Sequence, residues 1–171
     1  MIYNTYMHRI SNYFSRTKKY SVIRFIVEMS VLAFLLKMLA IIIAVPVLIS
    51  MGLNTETNLE LEKGFLEDPF LVAGILIILF AAFETIIGQM FILWLSKKIS
   101  KAHSFRILCS AIVFALLHVE PIIMAAVFPI GLILAWAFVL YREKSLWSAI
   151  WVTTAIHVAH NLFALWLVSV G

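Results

Sequence analysis

Apolar residues in this chain come in long, nearly unbroken runs, unlike the alternation of a half-buried strand or the single stripe of a soluble amphipathic helix. A helix rises about 1.5 Å per residue, so about 20 apolar residues cross a hydrocarbon core of about 30 Å. Five runs meet or approach that length. The first spans Ser30 to Gly52, and the second runs from Pro69 to Ser96, long enough to tilt or kink. The third, Ile107 to Val119, is short. The fourth covers Ile122 to Tyr141 and contains Pro129 and Gly131, and the fifth covers Leu146 to Val170. The pattern predicts an all-α polytopic membrane bundle of about five spans, with no internal repeat or low-complexity segment.

Residues 1–29 have a different pattern. Ile2, Tyr3, Tyr6, Met7, Ile10, Tyr13 and Phe14 recur at helical spacing with Arg9, Arg16 and Lys18 among or after them, as in a helix lying in the headgroup plane. The apolar run that follows starts too late and is too long for a cleavable signal. The chain therefore divides into a cytoplasmic interfacial segment, 1–29, and a transmembrane domain, 30–171.

Composition supports the membrane reading. Of 171 residues, 64% are hydrophobic and 13% charged, with mean hydropathy +1.05, against roughly half and a quarter in soluble domains. These values exclude a water-soluble globule and a disordered chain. The lone Cys109 excludes an internal disulfide framework and a Cys-rich zinc site. The net charge of +4 points to anionic lipid as partner, because the basic residues border apolar runs; it does not point to nucleic acid.

The charges also give an orientation. Arg9, Arg16, Lys18, Lys19 and Arg24 precede the first span, Lys97, Lys98, Lys101 and Arg106 separate the second and third, and Arg142 and Lys144 separate the fourth and fifth. Thus 11 of the 13 basic residues fall on one side. Residues Asn54 to Asp68 carry five carboxylates against Lys63. Positive charge is retained inside, so the amino terminus is expected in the cytoplasm and the carboxyl terminus outside. Trp94, Trp147 and Trp166 lie near span ends, as in an aromatic belt.

Ionisable residues within spans are costly and are functional candidates for that reason. Lys37 lies 13 positions from Arg24, Glu84 13 from Lys97, His118 12 from Arg106 and His157 13 from Lys144. At helical rise all four reach roughly 18–20 Å from the basic end. Side chains from four spans are thus expected at one level. The third span is cut short by Glu120-Pro121, placing a helix break beside His118 inside the membrane, where irregular backbone must be buried in protein or line a wet cavity. On the fifth span His157 and Asn161 are i and i+4 and share a face, with His160 adjacent.

Three ordered segments, Glu84-Thr-Ile-Ile-Gly-Gln89, Phe114-Ala-Leu-Leu-His118 and His157-Val-Ala-His-Asn161, resemble the motifs of the CPBP family of intramembrane proteases (CAAX protease and bacteriocin-processing, also called ABI). The resemblance covers residues 69–168. It implies an intramembrane endopeptidase acting on a membrane-associated peptide or protein, in a bacterial cell membrane. Glu84 would be the general base, His118 and His157 would position water or stabilise charge, and Asn161 would donate to the oxyanion. Some relatives cleave near the carboxyl end of lipidated peptides, and bacterial ones remove leaders or confer self-immunity.

The first motif departs from the family's Glu-Glu-x-x-x-Arg, having Thr85 and Gln89 in place of the second glutamate and the arginine. Both charges of an i, i+4 ion pair are lost together, so net charge is unchanged, and a neutral Thr85–Gln89 hydrogen-bonded pair is the expected replacement. Lys37 is expected to approach Glu84 or its cavity and supply the positive charge that Gln89 lacks. No cofactor is the favoured expectation; zinc held by His118 and His157 is the other, since with Glu84 they match a His₂Glu set. Other functions carried by the same residues are an inactive family member serving as an immunity or regulatory partner, a bis-histidine haem carrier, and a proton-coupled transporter.

Overall fold

In the computed structural model, residues 21–52 and 70–170 are described. The acidic 54–68 segment and most of the amino-terminal interfacial segment lie outside them. Among the described residues the chain is all helix, and four of its helices are long and apolar enough to cross a membrane.

Helix α1 covers Val22–Ser50, capped by the Ser21 side chain accepting from the Arg24 amide at 3.2 Å. It begins eight residues before the expected start of the span. The reason is local: Ser21 supplies an N-cap, and Arg24 pairs with Glu28 one turn on at 2.7 Å. Helix α2 runs over residues 70–99 in three parts, Phe70–Glu84, a π-helical stretch Thr85–Phe91, and Ile92–Ile99. Helix α3, His103–Leu116, is the short one. Helices α4, Pro121–Arg142, and α5, Leu146–Val170, complete the bundle.

Helix α4 is the axis of the fold. Residues all round it are buried, among them Val127, Ile130, Leu134, Ala137, Phe138 and Tyr141, and it packs against α1, α3 and α5. A helix apolar on every face belongs at the centre of a bundle. Gly131 sets how closely α3 approaches: a Cβ there would stand 3.0 Å from the Ala111 Cα and 3.2 Å from the Ala111 carbonyl oxygen. This small-residue contact lets two backbones meet where no hydrophobic drive between lipid-bathed helices exists.

Helix α1 is peripheral, with Phe25, Met29 and Ala33 buried and Ile23, Leu35, Leu39 and Ile42 facing outward. Phe25 joins it to α4 through Trp136 and Tyr141, at ring-centroid separations of 5.9 and 5.1 Å. Trp94, Trp147 and Trp166 are all exposed on the outer surface, as the belt reading requires.

Candidate active site

The expected helix break is present, and its geometry accounts for the Phe-x-x-x-His spacing. Helix α3 ends at Leu116, and the His118 amide bonds the Ala115 carbonyl at 3.0 Å, a tightened final turn. That turn leaves the Phe114 carbonyl for the imidazole, whose Nδ1 lies 2.9 Å from it. A carbonyl can only accept, so Nδ1 carries the proton, and in the neutral ring Nε2 is left with a lone pair. Val119 then adopts φ 58°, a left-handed conformation that is an outlier for a β-branched residue. Glu120 follows as N-cap, and Pro121 starts α4 where its missing N–H costs nothing.

Glu84 stands at the junction where α2 passes from α-helical to π-helical winding. π-Helical turns mark functional sites often enough to be informative. Its Oε2 is 3.4 Å from His157 Nε2 on α5. The two side chains differ in access: 31% of Glu84 is exposed against 4% of His157. The carboxylate is therefore open at the protein surface while the imidazole is enclosed by protein. His118 is within electrostatic reach of both.

Phe114 is the pedestal of this cluster. Its ring centroid is 5.1 Å from that of His118 and 5.5 Å from that of His157. The ring is clamped between two glycines, since a Cβ on Gly88 would lie 3.2 Å from its Cδ2 and one on Gly131 3.0 Å from its Cδ1. Both imidazoles are thus placed against one ring whose two edges cannot move.

Thr85 and Gln89 are fully buried, but the expected hydrogen bond between them is not formed among the described residues. Gln89 instead turns to Ser110 on α3, whose Oγ lies 2.6 Å from both Gln89 Oε1 and the Gly88 carbonyl oxygen. One hydroxyl proton cannot serve both acceptors. With the amide turned over, Ser110 donates to Gly88 and accepts from the Gln89 nitrogen, satisfying both contacts. Thr85 Oγ1 has no partner among the described residues, and neither do Thr153 Oγ1, Thr154 Oγ1, His157 Nδ1 and His160 Nδ1 on α5. Buried polar groups are nearly always paired in folded proteins. These atoms lie on two helices that pack together, α2 and α5.

Lys37 lies within electrostatic reach of His160, and His118 within reach of Glu84. His160 is buried, lies 6.5 Å from the Phe34 ring of α1, and is itself within electrostatic reach of His157. Lys37 therefore reaches the site through two imidazoles. Asn161 is half-buried one turn beyond His157. Among the described residues no three His, Cys, Asp or Glu side chains are gathered closely enough to hold a metal ion. His118, His157 and Glu84 do not form a zinc-holding set in this arrangement.

Ser110 and Phe114 contact site residues without being singled out by sequence, although a hydroxyl inside an apolar run, as at Ser110, must find a partner.

The helical bundle thus brings Glu84 of α2 against His157 of α5, with His118, just past the end of α3, within electrostatic reach of both. The family model described as type II CAAX prenyl endopeptidase Rce1-like matches residues 66–163, more than half of the chain. The chain belongs to this family of CAAX-type intramembrane proteases. No curated protein and no solved structure matches the chain.

Proposed function

We propose that this protein is an intramembrane endopeptidase that hydrolyses a peptide bond of a membrane-associated peptide or protein by glutamate-activated water. The observation that carries the reading is the approach of Glu84 to His157 at 3.4 Å, with His118 within electrostatic reach of the same carboxylate. A general base must be reachable by water, and the 31% exposure of the Glu84 side chain supports that role.

In this reading Glu84 takes one proton from water, and the hydroxide oxygen bonds to the scissile carbonyl carbon. The carbonyl π pair moves to oxygen, giving a tetrahedral oxyanion that the Asn161 side-chain amide stabilises by donating to it. Collapse restores the carbonyl, breaks the C–N bond, and returns the Glu84 proton to the departing amine. His157 holds the Glu84 carboxylate through Nε2, and His118, its Nδ1 proton fixed on the Phe114 carbonyl, orients the attacking water by accepting its other hydrogen at Nε2. The basic helix ends are read as cytoplasmic, which puts the carboxyl terminus outside. No metal is required by these steps.

The test is cleavage of a panel of membrane-anchored peptides by detergent-purified protein, with products read by mass spectrometry, with and without chelator. Chelator-insensitive cleavage that is lost in Glu84→Gln and His157→Ala is expected. Cleavage that survives Glu84→Gln, or folded wild type that cleaves nothing, overturns the reading and favours a non-catalytic regulatory partner.

A further inference from the structure

A second site lies at the other end of the bundle, where the α2–α3 and α4–α5 connections meet. A cavity of about 720 Å³ opens there. Lys97, Lys101, Arg106 and Arg142 line it from three helices and a turn, and Glu143 is the one carboxylate among the lining residues. Among the described residues none of the four cations forms a salt bridge. Arg106 is fixed in place, its Nε donating to the Leu93 carbonyl of α2 at 3.3 Å, which leaves its two terminal nitrogens for another acceptor.

The rest of the lining is largely apolar. Phe91, Trp94 and Leu146 line the cavity and are also exposed on the outer surface, so the wall continues onto the face that lipid tails cover. Lys98 lies over the Trp94 ring at 3.9 Å, the arrangement of an aromatic residue at the membrane–water boundary. Basic pockets between transmembrane helices at that depth suit anionic headgroups.

We propose that this cavity binds an anionic phospholipid, its phosphate held by Arg106, Lys101, Lys97 and Arg142 and one acyl chain laid along Phe91 and Trp94. Arg106 and His118 are 12 residues apart on one chain segment, about 18 Å at helical rise, so the lipid site and the hydrolytic site are separate. They share α2, however, since Phe91 ends the π-helical stretch that begins beside Glu84.

Native mass spectrometry of the full chain in detergent tests this, with phosphatidylglycerol and phosphatidylcholine of identical chains titrated in parallel. Phosphatidylglycerol adducts are expected at much lower lipid concentration. Each removed cation near a headgroup weakens binding roughly fivefold, so Lys97→Gln, Lys101→Gln and Arg142→Gln together should weaken it about a hundredfold. These three side chains are exposed, and a thermal melt checks that the triple variant folds. Glu143→Gln should tighten binding. Lys144→Gln, outside the lining, removes one charge and should weaken binding far less than the on-site Lys101→Gln alone. Equal adducts for the two lipids, or equal losses in the on-site and off-site variants, overturn the site. Displacement of the lipid by millimolar inorganic phosphate alone would show that the cavity reads free phosphate, and would overturn the lipid assignment.

Discussion

Replacing Gly131 with alanine tests whether one glycine sets the geometry of the hydrolytic site. The added Cβ would lie 3.0 Å from the Ala111 Cα and 3.0 Å from Phe114 Cδ1. Ala111 contributes backbone, which yields only if α3 shifts on α4. Phe114 cannot swing aside, because Gly88 closes its other edge. Relief therefore requires α3 to withdraw by several tenths of an ångström, at an overpacking cost of about 1–3 kcal/mol. That movement carries Phe114 and His118 with it, and a misplacement of about 1 Å in a catalytic group lowers turnover about a hundredfold. Gly131→Ala is thus expected to lower the unfolding temperature in detergent, followed by tryptophan fluorescence, and to lower peptide cleavage about ten- to a hundredfold. Adding Phe114→Leu should restore part of the stability and none of the activity, since it removes one clash and also the pedestal. Gly74→Ala is the control: a Cβ there meets nothing within 4 Å, so no loss is expected. Wild-type melting and cleavage in Gly131→Ala would refute the clamp.

Ser110→Ala removes the one side-chain partner of buried Gln89 and should cost about 1–3 kcal/mol in an unfolding titration, more than Ser104→Ala at an exposed position of the same helix. Lys37→Met is expected to lower cleavage through His160; in a His160→Phe background the same substitution should have little further effect, and additive losses in that double-mutant cycle would disprove the relay.

The fold was legible because lipid imposes a simple rule: backbone must be satisfied within the segment, so length and apolarity alone reveal helices. The short third span, the break at His118 and the meeting of Glu84, His118 and His157 all follow from counting residues against basic span ends. What counting could not show was how side chains turn within that level. Thr85 and Gln89 read as an i, i+4 pair on a regular helix, but α2 is π-helical there, and Gln89 pairs with Ser110, 21 residues away. Lys37 lies at the same height as Glu84 by rise, and with α1 packed on α4 and α5 it comes within electrostatic reach of His160. Height came from the sequence; azimuth came from packing, which depends on contacts between distant residues such as Gly131 and Ala111.

The altered first motif offers the sharpest remaining test of how the site tolerates charge. Thr85 and Gln89 are both fully buried, so an ionised side chain at either position is removed from water. Thr85→Glu alone, or Gln89→Arg alone, strands one charge there and should cost roughly 3–5 kcal/mol. The two together recreate the family's ion pair, whose attraction offsets most of both desolvation costs. A double-mutant cycle should therefore give a coupling of several kcal/mol in the unfolding titration, with the double variant close to wild type. If the losses simply add, the two positions do not face one another in the π-helical turn. In that case the neutral residues were retained for their contacts with α3, and charge balance had no part in it. Cleavage measured on the same variants separates two further cases. Activity unchanged in a stable double variant means that the pair only supports Glu84 mechanically. A rise in activity means that the neutral pair limits the hydrolysis proposed for this chain.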